Sequence, residues 1–145
     1  MRIFLARASG AIGRRLVPLL IAAGHDVTGM TRSAEAARGL EATGVHPAIV
    51  NVYDAAALQR AAIAARPEAV IHQLTDLPQI YDAKEVPAAY PRNARTRIEG
   101  TRNLIAAAKA AGARRFIVQS IAFAMRQATS LTSRRICSTS PTGRV

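Results

Sequence analysis

At 145 residues the chain has the length of one domain, enough for a real core but short for an enzyme with separate cofactor and substrate lobes. Its residues are 50% hydrophobic with three Phe, three Tyr and no Trp, so the expected core is Ala, Leu, Ile and Val, as in a sheet covered by helices. The net charge of +11 comes from 18 Arg and two Lys that are scattered, with no aromatic residues interleaved to stack on bases, which argues for solvated faces and against a specific nucleic-acid site.

Ile3 to Ala6 reads as a first strand that runs straight into Arg7-Ala8-Ser9-Gly10-Ala11-Ile12-Gly13. A strand meeting a glycine-bearing turn that opens a helix is how a dinucleotide pyrophosphate is held. Gly10 lets backbone N–H groups approach the phosphates, Gly13 lets the helix pack closely on the strand, and the free N–H groups at the helix start favour the anion. The spacing is close to Gly-x-x-Gly-x-x-Gly, with Arg7 in place of the first glycine. A guanidinium there attracts phosphate by charge but takes up room by bulk, and a non-glycine residue forced into a strained turn costs on the order of 1–3 kcal/mol. The steric effect is expected to dominate.

The helix Ala11 to Ala23 carries Ile12, Leu16, Leu19 and Leu20 as an apolar stripe and stops at Gly24. A second strand, Asp26 to Thr31, leads to Arg32 and Ser33, and Ser33 is placed to cap a helix from Ala34 to Ala42. Val45 to Val50 is a third strand. Asp54 then caps Ala55 to Ala65, which Pro67 terminates, and Ala69 to Gln73 is a fourth strand. Leu77 to Pro91 reads as a long Pro-containing connection before a helix from about Thr96 to Ala111, stopped by Gly112, and a fifth strand from Arg115 to Gln119. Strands alternating with helices predict a doubly wound, Rossmann-like α/β parallel sheet of order 3-2-1-4-5, with a ligand crevice at the carboxyl ends of strands 1 and 4.

From Met1 to about Phe123 the chain resembles the extended short-chain dehydrogenase/reductases, in particular the NAD-dependent epimerase/dehydratase family. Besides the glycine turn, the resemblance rests on Val70-Ile71-His72, on Glu99-Gly100-Thr101-Arg102-Asn103-Leu104 and on Arg114 to Ser120. It implies a NAD(P)-binding domain over residues 1–123. The implied cofactor-binding residues are Ser9, Gly10, Ile12 and Gly13 at the turn, Arg32 after the second strand, Asn51 and Val52 near the adenine, and Leu74 along the cleft. An acidic residue after the second strand would favour NAD, whereas Arg32 can pair with a 2′-phosphate and Ser33 can add a hydroxyl, so NADP is the expected preference over NAD. The alternative for Arg32 is a surface residue ahead of a helix.

The resemblance also implies a Tyr general acid/base, helped by a Lys four residues later and a Ser or Thr just after the fifth strand. Tyr53, Tyr81 and Tyr90 all precede that strand, Tyr81 and Lys84 are three apart, and Ser120 is followed by Ile121. No catalytic residue and no metal ligand is assigned. His72, inside an apolar strand, reads as a packed core histidine. Residues 124–145 hold four Arg and eight Ser or Thr with no acid, and read as a disordered basic tail.

The lone Cys137 excludes an internal disulfide and suits the cytoplasm, and Leu16 to Gly24 is far short of the roughly 20 residues of a membrane span. The reading is therefore the NAD(P)-binding part of an epimerase/dehydratase-like oxidoreductase, catalytically incomplete and expected to be a truncated or frame-shifted copy. A non-catalytic NADP-binding or sensing module and a non-functional fragment are the alternatives.

Overall fold

The alternating apolar segments pair as one sheet in the computed structural model, which describes residues 1–77 and 86–119. In chain order the elements are β1 (Arg2–Ala6), α1 (Ala11–Ala22), β2 (Asp26–Thr31), α2 (Ala34–Glu41), β3 (His46–Ile49), α3 (Ala55–Ala65), β4 (Ala69–His72), α4 (Val86–Arg95), a π-helical turn (Thr96–Gly100), α5 (Thr101–Ala110) and β5 (Arg115–Val118). All pairings are parallel, in the order β3-β2-β1-β4-β5. This is the Rossmann-like topology expected from the sequence. The tail reading, Tyr81, Lys84, Ser120 and Cys137 lie outside the described residues.

β1 is the central strand, and Phe4, Leu5 and Ala6 are fully buried because helices cover both faces. Phe4, Ala6 and Val70 pack with Leu58 of α3 and Leu104 of α5 on one face. Ile3, Leu5 and Ile71 pack with Val17 of α1 and Leu40 of α2 on the other. At the amino ends of the strands, the Glu68 carboxylate accepts the Arg2 backbone N–H at 3.0 Å and pairs with Arg114 at 3.3 Å. That N–H, with the nearby cations, holds the carboxyl below the usual carboxylate range.

The caps form where the residue types put them. Ser33 Oγ accepts from Ala36 N–H at 3.2 Å and Asp54 Oδ1 from Ala57 N–H at 2.9 Å. Two readings are corrected. The connection read as running to Pro91 is helical from Val86 on, so that α4, the π turn and α5 follow one another without a break and the expected helix start at Thr96 falls on the π turn. Proline at the second position of α4 removes only an N–H that has no helical acceptor, while Pro91 removes one inside the helix.

The second correction is to α1. Its buried residues are Gly13 and Val17, whereas Ile12 and Leu19 of the expected stripe are 52% and 67% exposed. Close contact at Gly13 sets the rotation of this helix. A Cβ there would overlap the carbonyl oxygens of Arg7 and Ala8, so the helix turns its smallest residue to the sheet and swings Ile12 outward. In α2, by contrast, a Cβ at Gly39 meets nothing within 4 Å. Gly13→Ala should lower the unfolding free energy by about 3 kcal/mol, the upper end of the range for overpacking. Gly39→Ala should raise it by about 0.5–1 kcal/mol by better helix propensity. Urea denaturation midpoints of the two variants check both signs.

Candidate functional site

The connections after β1 and β4 leave toward opposite faces of the sheet, which opens a crevice at the carboxyl ends of these strands. It is a cleft of about 640 Å³. All eight residues named from the sequence, Ser9, Gly10, Ile12, Gly13, Arg32, Asn51, Val52 and Leu74, lie on its walls. So do residues the sequence reading did not place there, among them Tyr53, Gln73 and Asp76.

The first wall is the glycine turn. Arg7 adopts a left-handed φ of 66°, the conformation for which glycine is the ordinary choice. Its carbonyl accepts the Gly10 N–H at 3.0 Å, Ala8 N–H reaches Met30 O at 3.2 Å, and Arg14 Nε donates to Ser9 O at 2.9 Å. Gly10 precedes α1 without a side-chain cap, so the first-turn N–H groups have no side-chain acceptor among the described residues. The second wall is the end of β2. Ser9 Oγ and the buried Thr31 Oγ1 lie 3.3 Å apart, and Arg32 stands exposed beyond them with no carboxylate in the run Thr31-Arg32-Ser33. Ser33 Oγ is engaged as the α2 cap, which leaves its hydroxyl proton free to donate.

The third wall is tied together by side chains. Asn51 Oδ1 accepts the Tyr53 N–H at 3.1 Å, and Asn103 Nδ2 donates to Val52 O at 2.9 Å. Thr96 Oγ1 donates to Arg92 O at 3.1 Å, so the Tyr53 hydroxyl, 2.7 Å away, is the donor to Thr96. Arg95 stacks 4.2 Å above the Tyr53 ring and pairs with Glu99 at 2.7 Å. The sequence carried no signal for Tyr53, because its role comes from the end of α4 and the π turn, which deliver Arg95 and Thr96 to it.

His72 is fully buried at the end of β4. Its Nδ1 accepts the Leu74 N–H at 3.2 Å, so the proton sits on Nε2 and is donated to Thr101 Oγ1 at 2.8 Å. Both ring nitrogens are engaged, in keeping with a structural role. Burial pushes the His72 pKa below its ordinary value, and the nearby Arg97 guanidinium acts in the same direction.

A glycine turn, an open helix start and a cleft at the topological switch point are the parts of a dinucleotide site. The sequence profile of a family described as NAD(P)H-binding matches residues 8–136. The chain belongs to the NAD(P)H-binding family. It is 47% identical over 124 residues to a 3-diazoavenalumate denitrifying reductase from a Streptomyces species, a match that covers 86% of this chain and 39% of that protein. The UDP-glucose-4-epimerase of Stenotrophomonas maltophila, solved with bound NAD, superposes with a TM-score of 0.68 at 20% identity, covering 85% of this chain and 38% of that one. UDP-glucose 4-epimerase from Thermotoga maritima superposes at 0.67 with 26% identity, over 83% of this chain and 38% of that one. The chain thus spans about two-fifths of the length of these relatives. Among the described residues no helix is long and apolar enough to cross a membrane.

The buried neutral imidazole gives a pH dependence of definite sign. With its folded pKa below the unfolded value of about 6.5, the unfolded chain binds the proton first. The stability associated with neutral His72 is complete above about pH 6.5 and is lost as pH falls toward the folded pKa. Unfolding free energies measured by urea titration should fall as pH is lowered through about 6.5. Replacement of His72 by Gln should flatten that slope, while an unchanged slope would place the titration elsewhere.

Proposed function

We propose that this chain is the dinucleotide-binding part of a reductase that uses NADPH in preference to NADH. The observation that carries the reading is the end of β2, where Arg32 and Ser33 reach the cleft and no carboxylate is present to hold the ribose 2′-hydroxyl. An arginine there offers charge-assisted hydrogen bonds to a 2′-phosphate. The remaining walls suit the rest of the molecule: the glycine turn and the start of α1 for the pyrophosphate, and Asn51, Val52 and Leu74 for the adenosine side. The 47% identity to a protein named as a reductase supports hydride transfer as the chemistry of the longer relatives. When bound, the nicotinamide ring supplies the hydride.

The described residues of this chain bind and orient but supply no positioned acid/base. Tyr53 donates its hydroxyl proton to Thr96, and His72 is buried with both nitrogens engaged.

Calorimetric titration should show NADPH binding roughly tenfold to a hundredfold more tightly than NADH, corresponding to a charge-assisted bond of about 1.5–3 kcal/mol. Arg32→Ala should bring the two affinities together. Equal affinities in the unsubstituted protein would remove Arg32 from the site.

The chain alone is expected to show no NADPH-dependent reduction of a carbonyl substrate, because hydride addition leaves an alkoxide that needs a proton donor. NADPH consumption that survives repurification and the Ser120→Ala substitution would identify an acid/base group elsewhere in the chain.

A further inference from the structure

Among the described residues that line the cleft, three are cationic, Arg7, Arg14 and Arg32, and one is anionic, Asp76. In a site built for phosphates a carboxylate acts by repulsion, so its presence there calls for a ligand group of another kind. Asp76 follows β4, which lies beside β1 with His72 paired to Ala6, whereas Arg32 and Asn51 follow β2 and β3 on the other side of β1. The glycine turn follows β1 and so stands between the two sides. Asp76 is near enough to that turn for its charge to act on the Arg7 guanidinium.

Two contacts from α4 hold Asp76 in place. Asn93 Oδ1 accepts its backbone N–H at 2.9 Å, and Arg92 Nε stands 3.8 Å from its Oδ2. The ion pair is long and both side chains are well exposed, so it contributes little stability. It leaves Oδ1 with no partner among the described residues. Gln73 and Gln119 line the same end of the cleft, but their side-chain carbonyl oxygens are buried. The Asp76 carboxylate is the strongest acceptor there that is open to a ligand, with its side chain 41% exposed.

A dinucleotide carries one ribose on each side of its pyrophosphate. In the reading above, the adenosine half lies on the side of β2 and β3 and the pyrophosphate at the glycine turn, which directs the second ribose to the side of β4. We propose that Asp76 binds this second ribose, its open carboxylate oxygen accepting hydrogen bonds from the neighbouring 2′- and 3′-hydroxyls on the nicotinamide side. The inference rests on the dinucleotide reading and extends it to the other half of the ligand. A carboxylate suits a ribose diol because both hydroxyls donate and the bonds are charge-assisted. Arg92 offsets the carboxylate charge that the pyrophosphate would otherwise meet.

The test is calorimetric titration of the unsubstituted protein, Asp76→Ala and Arg92→Ala with three ligands. These are NADPH; 2′-phospho-ADP-ribose, which keeps the second ribose and lacks the nicotinamide; and 2′-phospho-ADP, which keeps the pyrophosphate and lacks both. Asp76→Ala should weaken NADPH and 2′-phospho-ADP-ribose roughly tenfold. It should leave 2′-phospho-ADP unchanged or tighter, because an anionic ligand is relieved of a nearby negative charge. Arg92→Ala removes the ion pair and keeps the carboxylate, and should leave NADPH affinity within about threefold. NADPH affinity that Asp76→Ala leaves unchanged or raises overturns the proposal. So does a loss shared by 2′-phospho-ADP, which would make Asp76 a support of the pyrophosphate turn, and so does a loss confined to NADPH, which would put it against the nicotinamide ring. A loss in Arg92→Ala as large as that in Asp76→Ala overturns it too, since the ion pair is then what matters. If the unsubstituted protein binds neither NADPH nor 2′-phospho-ADP, the dinucleotide reading itself fails; if both bind and only the Asp76→Ala result fails, Asp76 alone is misassigned.

Discussion

The close contact between α1 and the end of β1 is the constraint on which the rest of the site depends. Gly13 lies against the carbonyl oxygens of Arg7 and Ala8, leaving no room for a side chain. That contact sets how α1 is rotated, so Val17 is driven into the core beside Leu5 and Ile3. It also places the start of α1 at the mouth of the cleft, where Arg14 reaches back to the Ser9 carbonyl. Position and rotation of the helix follow from one excluded volume. The turn that results is left-handed at Arg7, and the side chain there is a consequence of the backbone path as much as of the sequence.

The opposite side of the cleft is organised differently, by directional polar contacts instead of close packing. Thr101 holds His72, Asn103 holds the Val52 carbonyl and Thr96 holds Tyr53. All three come from one stretch of chain, the π turn and the first turn of α5, and they reach two different strand ends. Leu104 from the same stretch is fully buried in the core. A segment that both fills the core and bonds to two strand ends cannot shift without breaking several interactions at once, and buried hydrogen bonds of this kind leave costly unpaired groups when broken.

Much of this was legible in the sequence. The alternation of apolar strands with helical segments gives the sheet and its order, since short right-handed crossovers leave few other arrangements. Ser33, Asp54, Gly24 and Gly112 mark helix ends by local chemistry that tertiary structure does not overrule. The eight residues assigned to the cleft meet there because they sit at strand ends, and strand ends are what periodicity locates well. The missed features depend on partners distant in the chain. Helix α1 turns Gly13 to the sheet and keeps Leu16 and Leu20 of its apolar stripe against the core while Ile12 and Leu19 face outward, because of an overlap with the carbonyls of the preceding turn, which no hydrophobicity pattern records. Proline at position 91 suggested a connection where a helix forms. The side chain of Tyr53 is held in the site by Thr96 and Arg95, 43 residues away in the case of Thr96.

The π turn from Thr96 to Gly100 is a shim of one residue between two helical phases. Residues ahead of it, Arg92 and Arg95, face Asp76 and Tyr53, and residues behind it, Thr101 and Asn103, face His72 and Val52. An ordinary α-helical path through the same stretch would rotate one set relative to the other by about 100°, the angle of a single residue. The two sets of partners are therefore in phase only with the extra residue present. Loss of one amino acid anywhere in this turn would leave the helix intact and unhook one wall of the cleft, so the chain is more sensitive here to length than to composition.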